Sequence, residues 1–173
     1  MKIVFVVPPK NFKDETLSEA QMMFKKWGVE THIASGSNPT CVGNHGAVVK
    51  NNMKYTDIKS SDFDAIFLID GPGVEEYGMN NSRQLIDIIK HFNENNRFII
   101  AIKDSIQTVA RANIINNKKI AHILDPETVR LVKLFKGVIT DNEIEHDEFI
   151  FTSSTNRDVY ALSKLVLDKM GVT

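Results

Sequence analysis

Cysteine is nearly absent from this sequence: Cys41 stands alone among 173 residues and can form no internal disulfide. No secretory leader precedes the first apolar segment, so we expect a cytoplasmic protein. Long apolar runs are absent too, because the longest, such as residues 3–9, fall far short of the roughly 20 residues that cross a bilayer. The formal net charge is only −1 and the basic residues are scattered. We therefore expect neither a membrane nor nucleic acid as a partner.

The usual cofactor motifs are also missing. Five histidines and one cysteine give no H-x-x-x-H, H-x-H or C-x-x-C spacing, so we predict no metal site. The segment 71–78 (GPGVEEYG) departs from the dinucleotide fingerprint G-x-G-x-x-G, because its third glycine comes two residues late. A tight turn at the end of a strand explains these glycines better. With no P-loop in the chain either, we predict no cofactor.

The sequence does contain short apolar runs that alternate with amphipathic segments, the pattern of a mostly parallel sheet with helices on both faces. Residues 2–7, 65–69 and 98–102 are continuous apolar runs, typical of strands buried on both faces. Shorter strands are predicted at 29–34, 118–121, 143–146 and 149–152, a hairpin on the sheet edge at 40–49, and helices at 14–27, 85–92, 126–135 and 156–170. This order predicts one α/β domain over residues 1–173, a flavodoxin-like doubly wound sheet.

Ligands of such sheets bind beyond the carboxyl ends of the strands, which directs attention to residues 8–15, 70–73 and 103–105. The strand at 98–102 runs without a loop into a helix that continues to about residue 112. A sharp turn of this kind is the geometry of a nucleophile elbow, where a thiolate would suit the positive end of the helix. Lys103 occupies that position instead, followed by Asp104 and Ser105, either of which is a good N-cap. An ordinary capped helix preceded by a solvated lysine is the simplest interpretation.

These residues resemble the ThiJ/PfpI superfamily, which has the class I glutamine amidotransferase-like fold. The first strand and residues 12–15, the strand and glycine turn at 63–71, the elbow and helix at 101–115, and the closing strand and helix carry the resemblance. It implies that Lys103 replaces the nucleophilic cysteine of the family, Asp104 its histidine, and Ser105 with Ile106 the Gly-Pro that follows.

The resemblance also implies a set of site residues. Lys103, Asp104 and Glu15 match the family's catalytic cysteine, histidine and glutamate positions, and the ligand-binding positions would be Gly71, Pro72, Gly73, Ser105 and Glu76. Glu76 falls about where some members supply an acid across a dimer interface, so we expect a homodimer or higher homo-oligomer. We further predict a positive φ at Lys103 and an ion pair between Lys103 and Glu15.

Because no cysteine stands at the elbow, we expect no thiol chemistry. The favoured hypothesis is a non-catalytic, regulatory or stress-related protein that binds a small molecule. The alternative is a peptidase, glyoxalase or deglycase-like enzyme that uses Lys103 in place of the thiol. A third hypothesis is a structural remnant without ligand or activity.

Overall fold

A seven-stranded sheet forms the centre of the protein, which is seen in a computed structural model that describes residues 1–36, 39–51 and 53–173. From one edge to the other the strands are β11 (Ile144–Asp147), β12 (Ile150–Ser153), β8 (Phe98–Ile102), β7 (Ala65–Leu68), β1 (Lys2–Val6), β3 (Glu30–Ser35) and β6 (Met53–Lys54). All neighbours pair in parallel except β11 and β12. The order of the five central strands is that of flavodoxin, so the predicted fold class is confirmed.

Helices cover both faces of this sheet. They are α1 (Asp14–Lys26), α2 (Gly73–Glu76), α3 (Arg83–Glu94), α4 (Ile106–Arg111), α5 (Pro126–Leu134) and α6 (Val159–Met170). Helices α1 and α6 pack on one face, which takes Ile3 and Phe5 of β1, while α3, α4 and α5 pack on the other, which takes Val4 and Val6. Both faces of the central strands are therefore buried, which explains why their sequences are apolar throughout.

Capping side chains set the helix starts. Ser82, Asp125 and Asp158 accept hydrogen bonds from the first-turn amides of α3, α5 and α6. Pro126 follows its cap at the first helical position, where its missing N–H costs nothing. None of the described helices is long and apolar enough to cross a membrane.

The predicted hairpin forms, but its predicted place on the edge of the main sheet is wrong. Strands β4 (Thr40–Gly43) and β5 (Val48–Lys50) pair antiparallel and join β2 (Lys10–Phe12) in a separate three-stranded sheet. The carboxylate of Asp14, at the start of α1, accepts the backbone N–H groups of His45 and Ala47 at 2.7 and 2.8 Å. These bonds hold the hairpin tip against α1. A parallel pair formed by β9 (Lys119–Ile120) and β10 (Val138–Ile139) also lies outside the main sheet.

Candidate functional site: a cleft above the strand-to-helix elbow

The elbow between β8 and α4 is a single 3₁₀ turn, Lys103–Ser105. Lys103 has a φ of 50°, so the predicted positive φ is confirmed. This left-handed conformation costs a non-glycine residue of order 1–2 kcal/mol and persists only where the surroundings impose it.

Hydrogen bonds of the Ser105 side chain hold the elbow in this conformation. Its fully buried hydroxyl accepts the N–H of Ile102 at 2.9 Å and lies 2.9 Å from the carbonyl of Leu68 and 2.8 Å from that of Ile102, to one of which it donates. These bonds join the ends of β7 and β8. Ser105 occupies the N-cap position of α4, as predicted, but its side chain makes no cap bond to that helix. The Asp104 carboxylate accepts the N–H of Gly71 at 3.4 Å. Both side chains bond to the neighbouring strand ends rather than to the helix.

The turn after β7 packs tightly against the chain that enters α1. Gly71 has a φ of 136°, and a side chain there would meet the backbone of Asn11, Phe12 and Lys13. Position 73 is equally closed, because a side chain would overlap the carbonyl of Lys10. Lys13 N–H donates to the carbonyl of Asp70 at 2.8 Å, which fixes the two segments together. Both glycines therefore serve this close approach, and Pro72 is the turn residue that faces the cleft.

A cleft of about 620 Å³ opens above Lys103, and we call it the elbow cleft. Its walls come from the β7 turn and α2, the elbow, the loop between β9 and α5, the residue before β11 and the segment after β12. The lining residues are Pro72, Glu75, Lys103, Asp104, His122, Ile123, Leu124, Asp125, Glu143, Ser154, Thr155 and Arg157. Its position beyond the carboxyl ends of the strands is where doubly wound sheets bind ligands. The exposed Lys103 therefore stands at an open site and is not covered by neighbouring side chains.

Two neighbouring carboxyl groups are perturbed: that of Asp104, which lines the cleft, and that of the buried Asp70. Burial, reinforced by the nearby charges of Asp70 and Glu75, raises the pKa of Asp104 to about 7, although the Gly71 N–H and Lys103 oppose the rise. Burial also raises the pKa of Asp70, against a hydrogen bond that Asn156 Nδ2 donates to it at 3.1 Å. A carboxyl group that titrates near neutral pH can take up or release a proton under physiological conditions.

A network of hydrogen bonds donated by uncharged side chains holds one wall in place. The buried Gln107 donates from Nε2 to Glu75 at 2.9 Å and to Thr128 Oγ1 at 3.0 Å. Thr128 Oγ1 in turn donates to the carboxylate of Asp125 at 2.7 Å, and the Gln107 oxygen accepts from Asn80 at 3.0 Å. This network fixes α2 and the start of α5 relative to α4.

Comparison with known proteins identifies the family. The family model for DJ-1/PfpI matches residues 1–169. This chain belongs to the DJ-1/PfpI family. An uncharacterized protein of Methanocaldococcus jannaschii is 30% identical over 154 residues, 89% of this chain and 75% of that protein. A deglycase of Pyrococcus horikoshii is 25% identical over 119 residues, 69% of this chain and 70% of its own.

A solved structure agrees with this assignment. The crystal structure of a ThiJ/PfpI domain protein from Brachyspira murdochii superimposes with a TM-score of 0.91 at 18% identity, covering 99% of this chain and 97% of that one. At 18% identity, this structural similarity supports the fold assignment alone. The ThiJ/PfpI resemblance read from the sequence is thus confirmed.

The single thiol of this DJ-1/PfpI chain lies away from the elbow. Cys41 is fully buried in β4, where its Sγ lies 3.6 Å from Asn51 Oδ1. Burial raises the pKa of this thiol. A raised pKa disfavours the thiolate, so Cys41 is a packing residue.

The predicted ion pair between Glu15 and Lys103 is wrong. The exposed carboxylate of Glu15 lies 3.5 Å from Lys13 Nζ and 2.7 Å from His45 Nδ1, at the tip of the hairpin. The hydrogen bonds that Asp14 makes to the hairpin orient this first turn of α1 toward β4 and β5. Glu76 also points elsewhere, since its carboxylate accepts from Asn11 Nδ2 at 3.0 Å.

Of the residues singled out from the sequence, Lys103, Asp104 and Pro72 line the cleft, and Gly71 contacts it only through the N–H that it donates to Asp104. Glu15, Gly73, Ser105 and Glu76 do not line it. Sequence reasoning missed the walls supplied by residues 122–125 and 154–157. The sequence did contain a signal for residues 154–157. They follow the buried parallel strand β12, and ligands of such sheets bind beyond the carboxyl ends of the strands.

Proposed function

We propose that this protein binds a small molecule in the elbow cleft and performs no thiol chemistry there. The observation that carries the proposal is the open cleft above Lys103, at the point where an elbow nucleophile would stand. The lysine keeps the strained backbone of the elbow, and the single cysteine is buried in another sheet. Strain retained at an exposed position is typical of functional sites.

A fragment screen monitored by amide chemical shifts tests this proposal. A set with equal numbers of cationic, anionic and neutral fragments is titrated into the isotope-labelled protein at pH 7. We expect some fragments to shift the amides of residues 72–75, 103–105, 122–125 and 154–157. A second groove lies between α1 and the hairpin, beside Leu17, Met22 and Val49. If no fragment shifts the cleft amides while some shift the amides of this groove, the proposal is wrong.

Amine catalysis by Lys103 is the second candidate, favoured by Asp104. A carboxyl group with a pKa of about 7 beside the lysine could supply and remove the protons of a reaction at a carbonyl. Against it, Lys103 is exposed, so it lacks the desolvation that makes a lysine nucleophilic. Borohydride trapping of a carbonyl substrate on Lys103, absent in Lys103→Ala, would establish this alternative.

We also propose that the protein self-associates through the face formed by α1 and the hairpin. Met22 and Val48 expose 65% of their surface on these elements. Helix α1 carries Asp14 and Glu15 in its first turn and Lys25 and Lys26 in its last. Two copies packed with these helices antiparallel would place opposite charges together, the arrangement that a two-fold axis produces.

A further inference from the structure

The walls of the elbow cleft carry more negative than positive charge. Glu75, Asp104, Asp125 and Glu143 provide four carboxyl groups, and Lys103 and Arg157 provide two cations. Arg157 is already paired, since its guanidinium lies 3.4 Å from Glu143. Three carboxyl groups therefore share a single lysine across the rest of the cleft.

Glu75 and Asp125 are held on one wall without a cation of their own. Glu75 accepts a hydrogen bond from Gln107, and Asp125 accepts one from Thr128. Gln107 and Thr128 are uncharged and bonded to each other, and neither carboxylate forms an ion pair among the described residues. Glu75 also lies near enough to Asp104 for its charge to raise the pKa of that carboxyl. Carboxylates around one cleft make it electrostatically favourable for a cation, and a cationic ligand would offset their charge.

The spacing and the walls indicate a molecular cation rather than a metal ion. Within the described residues, the one group of three acidic or histidine side chains with ligand atoms inside 4.8 Å of each other is Asp14, Glu15 and His45, outside the cleft. The cleft instead offers about 620 Å³ and an apolar wall of Pro72, Ile123 and Leu124. Leu124 exposes 80% of its surface, which is apolar area that the body of a ligand in the cleft can cover.

We infer that the ligand of the elbow cleft is a small organic amine, whose ammonium binds between Glu75 and Asp125 and whose apolar body covers Leu124. This inference rests on the proposed function, because it names the chemical class of the ligand for the same site. Asp104 and Lys103 also line the cleft, and a longer amine would reach them with its far end.

Three five-carbon probes test the charge preference: pentylamine, pentan-1-ol and pentanoate, each titrated against the labelled protein at pH 7.5 and low salt. We expect pentylamine to shift the amides of residues 72–75 and 122–125 at the lowest concentration. Raising the salt to about 0.5 M should weaken pentylamine and leave pentan-1-ol unchanged, because salt screens only the charged contact.

Neutral isosteres identify the binding groups. Glu75→Gln and Asp125→Asn keep their hydrogen-bonding oxygens and, for Asp125, the helix cap. Each should weaken pentylamine about two- to fivefold, the range of an exposed ion pair, with no effect on pentan-1-ol. Glu94→Gln, at the exposed end of α3, is the matched control and should change nothing. Should either cleft variant fold poorly, the salt dependence of the unaltered protein decides the question.

Each outcome separates this inference from the proposed function. Tighter binding of pentanoate, directed by Lys103, would overturn the amine assignment and leave the cleft a ligand site. Equal binding of the amine and the alcohol would overturn it in the same way. If none of the three moves the cleft amides, the amine assignment fails, and the fragment screen alone decides whether the cleft binds ligands at all.

Discussion

Neutralising Asp104 should stabilise the protein in a pH-dependent manner. Asp104→Asn keeps the size of the side chain and an oxygen that can accept the Gly71 N–H, but removes an ionised group from a partly buried site. The cause of the raised pKa is first the burial of Asp104 and then the charge of Asp70. Asn has no charge to desolvate, so both penalties disappear.

The sign follows from proton binding. Because the pKa rises from 3.8 in the unfolded chain to about 7 in the folded protein, the folded state binds the proton more tightly. The free energy of unfolding therefore falls as pH rises through this window. A rise of this size corresponds to about 4 kcal/mol at about 1.4 kcal/mol per pH unit, and we halve it to about 2 kcal/mol because the side chain still meets solvent in the cleft. Below about pH 4 the contribution vanishes.

Urea unfolding between pH 4.5 and 8.5 measures this effect. The stability difference between Asp104→Asn and the parent should grow from about 0.5 kcal/mol at pH 4.5 to about 2 kcal/mol above pH 7. Asp87→Asn, on the exposed face of α3, should show a small difference that does not change with pH. Parallel curves for Asp104→Asn and the parent, or a less stable variant at pH 8, would refute the electrostatic reasoning.

Three further predictions concern the elbow and the assembly. Lys103→Gly relieves the strain of the positive φ and should raise the melting temperature by about 2–4 °C, for a gain of about 1 kcal/mol. Lys90→Gly within α3 is the control and should lower the melting temperature by a similar amount. An equal loss in both variants would contradict the claim that the backbone of Lys103 is strained. Ser105→Ala should lower the free energy of unfolding in urea by about 2 kcal/mol, because it leaves buried backbone groups unpaired. Ser163→Ala removes a buried hydroxyl that has no hydrogen-bond partner among the described residues, so it should cost nothing. Equal costs would refute the argument. Light scattering at micromolar concentration should give a mass of at least twice the 19.5 kDa of one chain. Met22→Glu should shift the measured mass toward that of one chain. A single-chain mass for the parent would refute the self-association proposal.

The sequence was sufficient for the central layers of the fold. Strands such as Phe98–Ile102 are apolar throughout because both faces are buried, and that signal is local. Strands β2 and β10 escaped prediction because they have three and two residues, too few for any periodicity. The misplaced hairpin follows from the same cause, since β2 is the strand that draws it away from the main sheet.

The backbone conformation of the elbow could be predicted from the sequence, but the residues that surround it could not. A strand that enters a helix without a loop forces a tight turn, so the positive φ at Lys103 could be expected. The position of Glu15 depends on how Asp14 binds the hairpin tip, a contact between residues 31 apart. Asp125 and Arg157 reach the cleft from separate loops and carry no motif, so only the three-dimensional structure brings them together.

The central claim is that this DJ-1/PfpI chain has the backbone geometry of the elbow but performs no thiol chemistry there. Measuring methylglyoxal consumption by the purified protein tests this claim. The account predicts a rate equal to the protein-free blank at pH 7, for the parent and for Cys41→Ala alike. Turnover well above the blank that survives Cys41→Ala and disappears with Lys103→Ala would contradict it, and would make Lys103 the nucleophile of the elbow.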